Sequence, residues 1–174
     1  MRSSHIDNPA LPDAPILLTP ILQTSQIPHP PLRDNGAMPV ETEGGDDRAV
    51  LIVEDSENSA TMLEMAVLGI PDVRVVQAPS GVEALRILHS DSAATVRVIV
   101  TDLNMPRMDG FELIRRIRGD QRLRATPIIV VSADTDPTTP ERVAALGVDA
   151  FFPKPFSPAL IRRTLEQLLN GKNH

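Results

Sequence analysis

Val98-Ile99-Val100-Thr101-Asp102-Leu103-Asn104-Met105-Pro106-Arg107-Met108-Asp109-Gly110 is the stretch that decides the fold. An apolar, β-branched run stops abruptly in a carboxylate, turns at a proline, and restarts as a helix at Asp109-Gly110. Continuous apolar runs of this length read as buried strands of a parallel sheet. In open α/β sheets ligands gather beyond the carboxyl ends of such strands, and Asp102 stands at that point.

The same pattern repeats on both sides. Residues 49–53 are an apolar run closed by Glu54-Asp55. Ser56 is positioned to cap the next helix, whose apolar side is Met62, Leu63, Met65, Ala66 and Leu68, with Gly69 as its stop. Residues 73–78 form a shorter strand. Ser80-Gly81 opens a helix with Val82, Leu85 and Leu88 facing inward. After the strand at 96–101, Phe111, Ile114 and Ile117 mark a helix that fades at Gly119. A fourth strand at 127–131 ends in Ser132-Ala133, and a helix at 140–146 stops at Gly147. A fifth strand at 148–152 precedes a helix from Ser157 to Leu169, capped by Ser157 with Pro158 at its first position. Strands alternating with helices imply βαβ units: an α/β, doubly wound, five-stranded parallel sheet with helices on both faces. The unit spans about 120 residues, an ordinary single domain.

Composition limits the alternatives. The chain has 174 residues and no cysteine, which excludes disulfides, thiolate nucleophiles and Cys-ligated metals. Hydrophobic residues make up 41% but aromatics only 2%, so the core must be aliphatic. Residues 16–22 are broken by Pro20 and preceded by Asp13 rather than a basic cluster, unlike a secretion signal. No window approaches the ~18 apolar residues that span a bilayer, so the sequence reads as soluble and cytoplasmic, without a membrane partner.

Residues 1–47 hold 8 of the 17 prolines, two arginines and seven carboxylates, a net charge of −5. They read as a Pro-rich, acidic N-terminal extension, disordered or extended. Pro30-Pro31 as a polyproline ligand is the weaker reading, and Met38, before Pro39, is an alternative first residue. The domain is assigned to 48–170 and a short tail to 171–174. From residue 48 onward, fifteen basic and sixteen acidic residues leave a net charge of −1, so no nucleic-acid surface is expected. Arg107, Arg115, Arg116, Arg118, Arg122 and Arg124 read as a solvated face, with no aromatics interleaved for base stacking. His5, His29, His89 and His174 lie outside any paired or metal-ligand spacing. His89 sits near a helix end.

Right-handed winding brings the ends of the first, third, fourth and fifth strands to one sheet edge, carrying Glu54-Asp55, Asp102, Ser132 and Lys154. Three gathered carboxylates repel one another, and a divalent cation relieves this. Hard oxygens without Cys or His favour Mg²⁺. Mg²⁺, an ammonium and a hydroxyl around one carboxylate form a receptor for a transferring phosphoryl group, which Asp102 would accept as an aspartyl phosphate. Singly, each residue has a bland reading: a solvated strand exit, a turn carboxylate, a capping hydroxyl, a surface lysine. Asp109 is better read as a helix N-cap than as a metal ligand.

Together these residues resemble the receiver domain of bacterial response regulators, the CheY-like phosphoacceptor of two-component signalling. The resemblance covers about residues 48–170 and rests on Glu54-Asp55, Asp102 in Asp-Leu-Asn-Met-Pro-Arg-Met-Asp-Gly, Ser132-Ala133 and Lys154-Pro155-Phe156. It implies a flavodoxin-like, three-layer α/β/α fold. It makes Asp102 the phosphoacceptor, with Asp55 holding Mg²⁺, Glu54 holding it through water, and the Asn104 carbonyl as a further ligand. It pairs Lys154 with phosphoryl oxygens, lets Ser132 swing to bond one of them, and puts Phe151 at an aromatic switch position. The Lys154-Pro155 bond is expected to be cis. Glu54 for Asp, Ser132 for Thr, Phe151 for Tyr and Pro153 before the lysine are variants that bear on kinetics.

The implied function is a stand-alone receiver, since only five residues follow Leu169. It takes a phosphoryl group from a sensor histidine kinase or histidine phosphotransferase. Output passes to an unnamed downstream protein, or by onward phosphorelay, through the face of the fourth helix, fifth strand and fifth helix. It is no enzyme beyond slow self-catalysed phosphorylation and dephosphorylation. A haloacid-dehalogenase-like phosphohydrolase needs a second Asp where Asn104 stands. A pseudo-receiver, a phosphorylation-independent interaction module, has no need of Asp55, Asp102 and Lys154.

Overall fold

A computed structural model describes residues 16–17, 48–91 and 95–171. Strand β2 (Arg48–Val53) shows how the layers arise. Successive strand residues face opposite sides, so a strand apolar at every position from 49 to 53 must be covered twice. Ala49, Leu51 and Val53 enter one core, and Val50 and Ile52 the other. The first core is closed by α2 (Gly81–Leu88), α3 (Gly110–Gly119) and α4 (Thr139–Ala145) through Leu88, Leu113, Ile114, Ile117 and Val143. The second is closed by α1 (Glu57–Val67) and α5 (Pro158–Asn170) through Leu63, Ala66, Ile161, Leu165 and Leu169.

The parallel strands lie in the order β3 (Val73–Ala78), β2, β4 (Val96–Thr101), β5 (Ile128–Ser132), β6 (Ala150–Pro153). Counted by themselves they run 2-1-3-4-5, the flavodoxin-like order, as expected. Registers Val53↔Thr101, Thr101↔Val130 and Ser132↔Pro153 level the strand ends, so Glu54, Asp102, Ser132 and Lys154 emerge on one edge.

Three expectations need correction. The sheet has a sixth strand, β1 (Ile16–Leu17), antiparallel to β6, so these two residues depart from the structureless extension expected for 1–47. They lie in the proline-free stretch between Pro15 and Pro20, beside an edge strand whose outer backbone groups need partners. The other residues expected in the extension, with Pro30-Pro31, Met38, His5 and His29, fall outside the described residues, as do 172–174 with His174.

Secondly, the inward faces of two helices are rotated from the predicted ones. Met62, Met65 and Leu68 are 41%, 51% and 62% exposed, while α1 buries Ala60, Leu63, Ala66 and Val67. Val82 is 53% exposed, and α2 buries Gly81, Ala84 and Leu88. Small residues let a helix approach the sheet, so alanines take places that hydrophobicity alone assigns to methionine and valine.

Thirdly, Ser56 and Ser157 occupy N-cap positions without a side-chain cap bond. Ser80 and Asp109 do cap: Glu83 N donates to Ser80 Oγ at 3.2 Å and Glu112 N to Asp109 Oδ1 at 2.7 Å.

Gly69 ends α1 at φ +91°, where a Cβ would be strained. Gly110 is required for a different reason. A Cβ there would overlap the Asp102 carbonyl and come within 2.7 Å of Leu103 Cα, whereas one at Gly119 in the same helix would meet nothing within 4 Å. Gly110→Ala is therefore expected to lower unfolding free energy by about 2 kcal/mol or more. Gly119→Ala is expected to raise it by about 0.5 kcal/mol. Urea titrations of both variants check the pair; equal midpoints would contradict the close approach of α3 to the Asp102 loop.

Candidate functional site at the strand ends

Asp102 is positioned by backbone bonds before its side chain is considered. Asp102 N donates to Val53 O at 3.0 Å, and Gly110 N to Leu103 O at 2.8 Å, so the loop is pinned to β2 and to α3. The fully buried Thr101 hydroxyl donates to Asp102 O at 2.9 Å. On the carboxylate, Oδ1 accepts from Leu103 N at 2.5 Å and Asn104 N at 3.1 Å. Oδ2 accepts from Lys154 Nζ at 2.7 Å.

Lys154 also donates to Glu54 Oε2 at 2.7 Å, and its backbone N donates to Ser132 O at 2.8 Å. One ammonium therefore joins the ends of β2 and β4 to the loop after β6. The side chains are largely withdrawn from water: Glu54 is 1% exposed, Asp102 7% and Lys154 18%. The Lys154-Pro155 peptide is cis, as expected.

Asp55 is exposed, and carboxylate oxygens of Glu54, Asp55 and Asp102 all lie within 4.8 Å of one another. With every group ionised, these three carboxylates and the Lys154 ammonium sum to a charge of minus two. Burial raises the Glu54 carboxyl above its ordinary pKa, against the lowering effect of its bonds from Lys154 and Ser56 N. Burial alone would depress the Lys154 ammonium, but its bonds to Asp102 and Glu54 outweigh this and hold it above its ordinary value. Lys154 therefore keeps its charge at neutral pH. The donor set is all hard oxygen, and its surplus negative charge matches one divalent cation, so these residues fit Mg²⁺.

Ser132 is fully buried, and its Oγ accepts from Asp134 N at 3.2 Å and from Asn104 Nδ2 at 3.4 Å. Phe151 is buried in the core beneath α3 and α4, three residues before Lys154.

Several supporting residues escaped the sequence reading. Asp134 Oδ2 accepts from Thr139 Oγ1 at 3.0 Å, and its Oδ1 accepts from Asp136 N at 2.9 Å, so Ser132 is connected to the start of α4. The run Asp134-Thr135-Asp136-Pro137-Thr138-Thr139 carried that signal, since Asp and Thr side chains favour such local turns. Arg118 corrects the solvated-face reading: it is half-buried, donating to Thr126 O at 2.8 Å and Gly147 O at 2.7 Å. Burial lowers its guanidinium pKa, partly offset by Asp149. Arg142 lies 4.3 Å over the Phe111 ring and ties α4 to α3. His89, expected to stand alone, meets Asp120 at 3.2 Å.

Comparison with known proteins agrees with this geometry. Residues 50–166 match the family model described as the response regulator receiver domain. The chemotaxis protein CheY1 of Helicobacter pylori is 36% identical over 124 residues, covering 69% of this chain and 95% of that protein. The solved chemotaxis protein CheY4 of Vibrio cholerae superposes with a TM-score of 0.61 at 30% identity, covering 70% of this chain and 98% of that one. The signal receiver domain of a histidine kinase from Syntrophus aciditrophicus gives a TM-score of 0.64 at 30% identity, covering 73% and 93%. Strand order, the acidic cluster beside a paired lysine, and these likenesses converge: the chain belongs to the response regulator receiver family of two-component signalling proteins, which are not conventional enzymes.

Proposed function

We propose that Asp102 is a phosphoacceptor that takes its phosphoryl group from a phosphohistidine of a sensor histidine kinase or histidine phosphotransferase. The observation that carries this reading is the Lys154 ammonium held 2.7 Å from Asp102 Oδ2 beside an oxygen cluster fit for a divalent cation. An Asp102 oxygen attacks phosphorus, forming a P–O bond as the P–N bond to the donor imidazole breaks. The imidazole leaves with that electron pair and takes up a proton. Asp55, Glu54 through water, Asp102 and the Asn104 carbonyl would hold Mg²⁺, which when bound supplies positive charge against the phosphoryl oxygens.

Lys154 exchanges its bond to Asp102 for one to a phosphoryl oxygen, remaining the counter-charge on both sides of the transfer. Ser132 exchanges its bonds from Asp134 N and Asn104 for one donated to the phosphoryl group. Because Asp134 also holds Thr139, that exchange alters the start of α4. Phe151, on the strand that leads to Lys154, is the packing element that responds. The changed face of α4, β6 and α5 is then read by a downstream protein, or the phosphoryl group passes on to a histidine phosphotransferase. The hydrolase alternative is disfavoured, because Asn104 stands where that chemistry needs a carboxylate. A purely structural receiver would have no use for an acidic cluster held against a lysine.

Acetyl phosphate with Mg²⁺ is expected to give a retarded band on a phosphate-affinity gel with this chain and none with Asp102→Asn. An unshifted band in the unaltered chain refutes the phosphoacceptor, and rapid multiple turnover would favour a hydrolase.

The metal ligands have a separate test in thermal unfolding. Saturating MgCl₂ is expected to stabilise the chain, by about 2.7 kcal/mol at a hundredfold excess over Kd. Asp55→Asn is expected to abolish that gain with little effect on metal-free stability, because Asp55 is exposed. An undiminished Mg²⁺ response in Asp55→Asn would remove Asp55 from the ligand set.

A further inference from the structure

The two edges of the sheet differ in kind. At one, β3 carries the exposed Arg74 and Gln77, and polar outward residues discourage pairing with another chain. At the other, β6 reads Ala150-Phe151-Phe152-Pro153, without a charge, and an edge of that character is a template for any extended segment. Ile16–Leu17 already pairs there, with Ile16 opposite Phe151 and Leu17 opposite Ala150.

We propose that the outer edge of β6 is a strand-docking surface whose resident occupant is this chain's own Ile16–Leu17, which holds off extended segments of other proteins. Recognition is by backbone hydrogen bonds in antiparallel register, as in strand addition to a sheet edge. The local sequence limits the occupant to a short strand. Pro15 and Pro20 bracket it, and a proline has no N–H to extend the ladder.

Two residue pairs are a weak interaction between separate molecules, but here the strand is tethered. Thirty residues separate Leu17 from Arg48 in the same chain, so the pairing is intramolecular, and a covalent connection of that kind gives an effective concentration on the order of 1 mM. A rival must therefore bring a longer strand or a comparable local concentration. Ala150 and Phe152 belong to the core under α1 and α5, and Phe151 to the core under α3 and α4, so a competing strand would lie along both layers at once.

The test uses the full chain and the double variant Ile16→Pro/Leu17→Pro, which removes both backbone donors of the strap and leaves 48–170 unaltered. Amide hydrogen exchange over residues 150–152 is expected to be about tenfold faster in the variant. A synthetic peptide of residues 10–24, added at roughly 1 mM, is expected to restore protection in the variant and to change nothing in the unaltered chain. Equal exchange in the two proteins overturns the proposal. Restored protection absent in the variant likewise overturns β6 as a docking surface. Circular dichroism and the Mg²⁺ response of the variant, both expected to be unchanged, distinguish loss of the strap from loss of the fold, and neither measurement depends on phosphorylation of Asp102.

Discussion

One ammonium group decides how this site can exist. Glu54 and Asp102 are nearly sealed from water and close to each other, and two unpaired carboxylates in that position would repel each other. Lys154 Nζ lies 2.7 Å from an oxygen of each. Removing one partner from a buried ionic cluster leaves its counter-charges uncompensated, which costs far more than the pair contributes when intact. The surrounding structure serves to bring that ammonium to the place. Level strand registers deliver the three elements to one edge, and Lys154 N is fastened to Ser132 O before the side chain turns inward.

The same arrangement divides the cluster into an inner and an outer half. The ammonium neutralises the buried oxygens of Glu54 and Asp102, while Asp55 faces solvent with its charge uncompensated by Lys154. A cation that keeps part of its water shell, as Mg²⁺ does, is suited to the outer half. An ammonium on a tethered stem is suited to the inner one. Permanent positive charge therefore lies on the buried side of Asp102, and an exchangeable cation would take the solvent side, where it would meet the oxygens of an incoming phosphoryl group.

Much of this was legible in the sequence because parallel strands ending in chemistry-bearing residues leave an unusually plain signature. The runs at 49–53, 98–100 and 128–131 are apolar throughout, and each stops at a polar side chain. The inward faces of α1 and α2 were less legible. Periodicity placed Leu63 and Ala66 inward correctly, but it does not report that Ala60 is wanted against the sheet for its small size while Met62 and Met65 stay outside. Arg118 was unreadable for a similar reason. Its partners are backbone carbonyls of Thr126 and Gly147, which no side-chain pattern encodes. Ile16–Leu17 was hidden by its setting, since prolines around a two-residue strand dominate any reading based on composition.

That last case shows how a local rule can be right about propensity and incomplete about context. Prolines do remove donors and prevent a long strand, and β1 is only two residues long. Yet a short strand next to an uncharged edge needs no propensity of its own. The edge supplies the partner groups, and the two residues need only be free of proline themselves. The prolines that argued for a structureless segment also define where the strap begins and where it must stop. They limit its strength too, and an occupant that weak can be displaced by one with more residues to pair.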